Sequence, residues 1–213
     1  MRVVDFTHVI RREMPVYPGT PQPRLEPAGT YARDGFRATQ LTIDSHTGTH
    51  MDAPAHLFPA GATLDALPPE CFLGMALVVS CAGAGEGSVL HVDRLAPVRD
   101  AADRAEFLLF STGWDRFWGR KAYFGAYPVL GEDVVDYLTA SGKRGVGVDT
   151  LGVDPIRDEA LPIHRRLLDS GMVIIENLTN LAAAGTDTFT FCALPLHYEN
   201  ADGAPVRAVG LWL

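Results

Sequence analysis

The chain has 213 residues, 47% of them hydrophobic and 21% charged, which is the usage of a folded globular protein and predicts one domain over residues 1–213 with core enough to enclose a pocket. Eighteen Lys and Arg against 26 Asp and Glu give a formal charge of −8, and no basic run forms the stripe that neutralises phosphates, which argues against a nucleic-acid partner. The opening residues lack an apolar leader core and no apolar run approaches the roughly 20 residues that span a bilayer, so a cytoplasmic protein without membrane contact is expected.

In chain order, residues 3–7 and 40–44 carry β-branched and apolar side chains at strand spacing, and the Pro- and Gly-rich stretch 11–35 between them reads as a loop. A loop of that length is expected to act as a lid or substrate wall, with Tyr17 its most conspicuous aromatic. Short apolar runs bounded by Gly, Pro or charge predict buried strands at 76–81, 107–111, 145–149, 172–176, 188–194 and 206–213. Helices are predicted at 132–141, between Gly131 and Gly142, and at 161–170, with Pro162 near its start and Gly171 just past its end. Each helix precedes a strand, while both ends of the chain are strand-rich. The expected fold is therefore α/β, a mixed and partly barrel-like sheet flanked by helices. Phe36, Phe58, Trp114, Phe117 and Trp118 are expected in the core or the pocket wall. Cys71, Cys81 and Cys192 lack CxxC spacing and are expected as small apolar residues rather than disulfides or thiolate ligands.

Between positions 44 and 58 the chain reads DSHTGTHMDAPAHLF, with three of its seven histidines and two aspartates in fifteen residues. Imidazole nitrogen and carboxylate oxygen together are the usual ligands of catalytic zinc and also suit manganese or iron. Gly48, two threonines and Pro54 disfavour a helix here, whereas in an extended segment His46, Gly48, His50 and Asp52 share one face. A straight strand over that span covers about 20 Å, too far for one ion. Either the chain bends, with Gly48 the natural hinge, or the ligands are distributed over two metals. Further on, His164 falls in the second predicted helix and Glu176 ends the strand after it, a spacing that could bring both to one end of the sheet. A carboxylate ending an apolar strand needs a metal or a hydrogen-bond partner to offset its burial.

HTGTHMDAPAHLF resembles the HxGTHxDxPxH signature of the cyclase-like metal-dependent hydrolases, the family of bacterial kynurenine formamidase and isatin hydrolase. The resemblance extends to the DFTH opening, the MPVYPG loop, STGW, GVDTLGVD, and IHRRLL followed by ENL, and so covers nearly the whole chain. It implies that His46, His50, Asp52, His164 and Glu176 hold two Zn²⁺ per subunit, with Mn²⁺ an alternative, that His56 is the general acid/base with Glu176 assisting, and that Tyr17 contributes to the substrate pocket. A homodimer or higher homo-oligomer is implied as well.

The expected activity is hydrolysis of an amide or lactam C–N bond in a small carbonyl compound, with an arylformamidase reaction on N-formylkynurenine first and isatin-like lactam opening, or another cyclase, dehydratase or esterase reaction, as the alternatives. A metal-stabilised ligand-binding protein without turnover is the alternative from another class. His8, His91 and His197 are expected to be structural, although His8 could orient a ligand and His197 could border the pocket.

Overall fold

A computed structural model describes residues 1–212. Its strands are β1 (Arg2–Asp5), β2 (Arg24–Gly29), β3 (Ala38–Thr42), β4 (His50–Asp52), β5 (Leu73–Ser80), β6 (Val89–Leu90), β7 (Phe107–Ser111), β8 (Val129–Leu130), β9 (Gly145–Val148), β10 (Val173–Glu176), β11 (Phe189–Pro195) and β12 (Gly203–Trp212). Its α-helices are α1 (Tyr31–Asp34), α2 (Arg99–Arg104), α3 (Glu132–Ala140) and α4 (Pro162–Asp169).

The main sheet runs β1-β12-β11-β5-β7-β9-β10-β4, and β4 pairs again with β12. Seven strands thus close into a ring, with β1 added outside it along the far half of β12. Strands β5, β7, β9 and β10 are parallel, and the helical connections between them supply the crossovers; β11, β12 and β4 close the ring antiparallel. The sheet is mixed, as expected, and its closure is complete.

Side-chain alternation divides the core in two. Leu77, Val79, Leu108, Phe110, Val146 and Ile174 point outward under Leu138 and Leu167 of α3 and α4. Ala76, Val78, Phe107, Leu109, Val173, Ile175 and Phe191 point into the barrel. In β9, GVGV puts its valines under the helices and its glycines inside, where a Cβ at Gly147 would lie 2.6 Å from Leu109 Cδ2 and from Leu178 Cδ1. Phe107 and Leu109 fill the space those glycines leave.

The stretch 11–35, expected as loop, contains β2 and α1, and β2 pairs with β3 in a separate two-stranded ribbon. Pro21, Pro23 and Pro27 mask that strand, and most of the ribbon's side chains are exposed, so it has no apolar alternation to betray it. Phe36 is a correction to the core expectation: it lies 58% exposed, with its ring edge against Gly29. Trp114 is buried, and Phe58, Phe117 and Trp118 are partly buried against core clusters. The cysteines are free, and burial pushes the Cys81 thiol up to about 12, which makes it inert. Residue 213, the end of the last predicted strand, lies outside the described residues. Among the described residues, no helix is long and apolar enough to cross a membrane.

Candidate metal centre and its cavity

The centre forms where β4 enters the ring. His50 and Asp52 are two apart on this short strand and face the same way, while Met51 between them points into the barrel. The antiparallel register sets Glu176 of β10 opposite His50, so three ligand types share one outward face. Gly48 has φ +68, the left-handed bend that a glycine takes without strain. That bend folds His46 back onto the centre, which is how His46, His50 and Asp52, spread over about 20 Å if fully extended, reach one place. The opposite side comes from α4, whose first turn presents His164 to Glu176 with Nε2 to Oε1 at 3.0 Å.

Three groups of donor atoms result, of which two share Asp52, His46 with His50 and Asp52, and Asp52 with His164 and Glu176; the third, His46 with His56 and Asp202, does not contain it. Asp52 Oδ1 lies 2.7 Å from His46 Nδ1 and 3.3 Å from His50 Nε2, and its Oδ2 lies 3.9 Å from His164 Nε2. Tetrahedral sites with bonds of roughly 2.0–2.1 Å have edges of about 3.3 Å, so these separations suit a divalent ion in each of the two groups that share Asp52.

Each imidazole also has its second nitrogen tied. His50 Nδ1 donates to Gly48 O at 2.8 Å, and His164 Nδ1 donates to Asp154 Oδ2 at 2.7 Å. His46 Nε2 meets Asp202 Oδ2 at 2.9 Å. Histidines that hold metals characteristically donate their other N–H to a carbonyl or carboxylate, and all three do so here. The donor set therefore fits a pair of divalent cations.

Burial lowers the affinity of His46 and His164 for a proton, yet Asp52 and Asp202 raise His46 to about 9, and Asp154 and Glu176 raise His164 to about 10. Burial pushes the Asp52 carboxyl up, but His46 and His50 outweigh it and hold Asp52 well below the usual carboxylate range. In the ion-free protein the imidazolium protons of His46 and His164 thus satisfy these carboxylates, and a bound cation would have to displace them.

Around the centre lies a cavity of about 470 Å³, walled by Tyr17, Leu151, Ile156 and Leu161 on its apolar side and by the candidate ligands at its floor. Tyr17 is 49% exposed, and its hydroxyl donates to Ile156 O at 3.3 Å, joining the N-terminal loop to the segment before α4. Leu161 takes φ +49, an unfavourable conformation for a branched residue, where the chain turns from the cavity rim into α4. His56 follows in a 3₁₀ turn (Pro54–His56) and lines the cavity, its ring 4.1 Å from that of His46. Burial lowers its proton affinity below the usual histidine value.

All seven residues expected from the sequence therefore lie at this cavity. The sequence missed Asp154, Asp202 and Asn177. Asp154 is buried and accepts the N–H groups of Ile163 and His164 as well as His164 Nδ1, so it caps α4 and orients the His164 ring at once. Asn177, at φ +55, turns the chain after Glu176 and accepts the Tyr123 hydroxyl at 2.7 Å. The remaining histidines stand apart from the cavity lining. His8 stacks on Trp118 with centroids 3.8 Å apart, His91 is exposed beside Asp133, and His197 is exposed.

A closed mixed barrel with paired histidine–carboxylate ligand groups in a cavity on its outer face is the architecture of a metal-centred enzyme fold. The chain belongs to the cyclase family: the family model described as "Putative cyclase" matches residues 4–155. The kynurenine formamidase of Geobacillus thermodenitrificans is 29% identical over 206 residues, covering 96% of this chain and 95% of that one. Among solved structures, isatin hydrolase A from Labrenzia aggregata bound to benzyl benzoate is 26% identical with a TM-score of 0.86, covering 98% of this chain and 93% of its own. A structure described as a potential metal-dependent hydrolase with cyclase activity is 29% identical with a TM-score of 0.78, over 98% and 96% of the two chains.

Proposed function

We propose that the protein is a metal-dependent hydrolase that cleaves an amide or lactam C–N bond of a small carbonyl compound, with N-formylkynurenine the first substrate to test. The observation that carries this reading is Asp52 standing in two adjoining ligand groups, with His56 beside them on the cavity wall. The 29% identical kynurenine formamidase supports the choice of first substrate. His46, His50 and Asp52 would hold one ion, and Asp52, His164 and Glu176 the other, as Zn²⁺ or Mn²⁺. When bound, such ions acidify a water to near neutrality and polarise a carbonyl.

The chain's own residues do the rest. Tyr17, Leu151 and Ile156 form an apolar wall that packs the body of the substrate and keeps its carbonyl at the ligand floor. His56 Nδ1 faces Asp202 Oδ2 at 3.8 Å, which leaves Nε2 to take a proton from the water that adds to the carbonyl carbon. As the C–N bond breaks, the same Nε2 returns that proton to the departing nitrogen, and the carboxylic acid left behind releases its own proton to solvent as carboxylate. Glu176, in hydrogen-bond reach of His164 and 3.5 Å from His50, assists by holding both ligand histidines in place.

A second reading, lactam opening as in the isatin hydrolases, is favoured by the charge of the cavity. None of the described residues lining it is Lys or Arg, so a substrate carboxylate would find no cationic side chain there away from the ion sites, whereas a neutral lactam needs none. We further propose a homodimer or higher oligomer. The ribbon of β2 and β3 stands apart from the barrel with Tyr31, Phe36 and Leu41 exposed, and isolated two-stranded ribbons are marginal unless packed on something. Light scattering of the purified protein would read its mass directly, and a monomer would exclude this.

The test of function is turnover of N-formylkynurenine and isatin before and after chelation, by wild type and His56→Ala. Chelation-sensitive turnover that collapses in His56→Ala with ions retained supports the reading. Activity indifferent to chelation would overturn it.

A further inference from the structure

The geometry points to Asp202 as the positioning carboxylate of this centre: it accepts the Nε2–H of His46, and thereby fixes Nδ1 as the nitrogen that His46 offers beside Asp52. This inference rests on the metal reading above and adds to it a residue outside the ligand set.

Like His164, His46 has both nitrogens on carboxylates, Nδ1 at 2.7 Å from Asp52 Oδ1 and Nε2 at 2.9 Å from Asp202 Oδ2, but the outer carboxylate of His46 is half-exposed where that of His164 is buried. A neutral imidazole carries one N–H, and two tautomers are open to it. Asp52 and Asp202 can each only accept, so the ion-free ring serves both; when an ion takes the place of the proton between Nδ1 and Asp52, Asp202 is the group that holds the remaining proton on Nε2. Without it, the ring could place its proton against Asp52 and be lost as a ligand.

The backbone is built to hold this contact. Asp202 O accepts the N–H of Ala53, and Gly203 pairs with Asp52 in the β4–β12 ladder, so Asp202 is fixed in register against the ligand strand itself. Gly203 then leaves room for the ring. A Cβ there would stand 2.5 Å from His46 Cε1 and 2.8 Å from Nε2, closer than any real contact. The Asp-Gly pair thus supplies an acceptor and a gap side by side. On its far face His46 packs against His56, and Asp202 Oδ2 also lies 3.8 Å from His56 Nδ1, so one carboxylate oxygen faces both a ligand and the proposed base. Ser45 Oγ and the Tyr198 hydroxyl, each at 3.4 Å, are its other side-chain partners.

His46, His56 and Asp202 are also close enough to form a metal-binding trio of their own. Against that, His46 Nδ1 already faces the buried Asp52, and the Asp202 side chain is 43% exposed where water competes for it. The trio is therefore an outcome to be tested.

Asp202→Asn and Asp202→Ala should be titrated with Zn²⁺ against a chromogenic chelator, with the melting temperature of the ion-free protein and the ¹⁵N shifts of the histidine rings measured alongside. Stoichiometry is expected to match wild type while affinity for one ion falls about 10–100-fold in Asp202→Ala and less in Asp202→Asn, whose amide oxygen still accepts. In the ion-free Asp202→Ala protein the His46 ring should lose its proton from Nε2 and keep the one on Nδ1 that faces Asp52, the ion-free melting temperature should hold, and with ions saturating, kcat should fall more than KM rises. Unchanged affinity and ring protonation in Asp202→Ala would overturn the inference, and loss of a whole equivalent would overturn it by making Asp202 a ligand. If wild type itself takes up no Zn²⁺, it is the metal reading that fails, and this inference falls with it.

Discussion

The two halves of the centre are held in different ways. On one side, His164 rides on α4 and its orienting carboxylate, Asp154, is 2% exposed and tied to two backbone N–H groups of the same helix. On the other, His46 sits in a bend and its orienting carboxylate, Asp202, is 43% exposed at the start of β12. In the first half the ligand's support is also a support of the fold, so loss of one damages the other. In the second half the support is separable, and the site can be adjusted there without unfolding anything. Asp52, common to both groups, is where the halves meet.

The largest effect should come from removing what they share. Asp52→Ala is expected to bring turnover to background with either substrate, since neither ligand group survives it; residual turnover above a thousandth of wild type would break the two-sided picture. Next is the residue that holds no ion in this account. His56→Ala should lower kcat about 10²–10⁴-fold with ion content unchanged. Loss of an ion in that variant would move His56 into the ligand set.

The comparison itself is sharpened by Asp154→Asn. Affinity for the ion at His164 and Glu176 should fall, as for Asp202→Asn, by less than the roughly 10–100-fold expected when an orienting carboxylate is removed outright. Here, however, the ion-free protein should also lose about 1 kcal/mol of stability, because a charged acceptor is taken from the first turn of α4. Equal stability losses at Asp154 and Asp202 would erase the distinction between the halves.

The smallest effect expected is one of pH, at His8. Burial lowers its pKa from 6.5 to about 4, against the pull of Asp115, so the folded chain keeps it neutral and stacked on Trp118. The unfolded chain binds that proton more readily. Its contribution to stability is therefore complete above pH 6.5 and is lost as pH falls through 6.5 towards 4. The melting temperature should drop across that window, and His8→Phe, which keeps an aromatic face on Trp118, should flatten the drop. An identical slope in the variant would show that other groups set it.

Much of this centre was legible because three of its candidate ligands are close in sequence. His46, His50 and Asp52 read as one face of an extended segment, and the distance argument called for a bend or a second ion; the φ of Gly48 supplies the bend. His164 and Glu176 were only weakly indicated by helix–strand spacing, and the signature resemblance carried them. Asp202 was out of reach, 156 residues from the imidazole it faces, and Asp154, although ten residues from His164 and within GVDTLGVD, was not marked out because single aspartates before a helix are common. The parallel strands and the helices α3 and α4 announced themselves through apolar runs and terminal glycines. The β2–β3 ribbon did not, because burial leaves no pattern where both faces meet solvent and prolines interrupt the strand.

The most direct test of the shared Asp52 is the ion content of wild type and Asp52→Ala after reconstitution with Zn²⁺, by elemental analysis, with circular dichroism to establish that the variant folds. Two equivalents per wild-type chain and loss of both in the folded variant are expected. A wild type that holds no ion, or a variant that keeps two, would contradict the account.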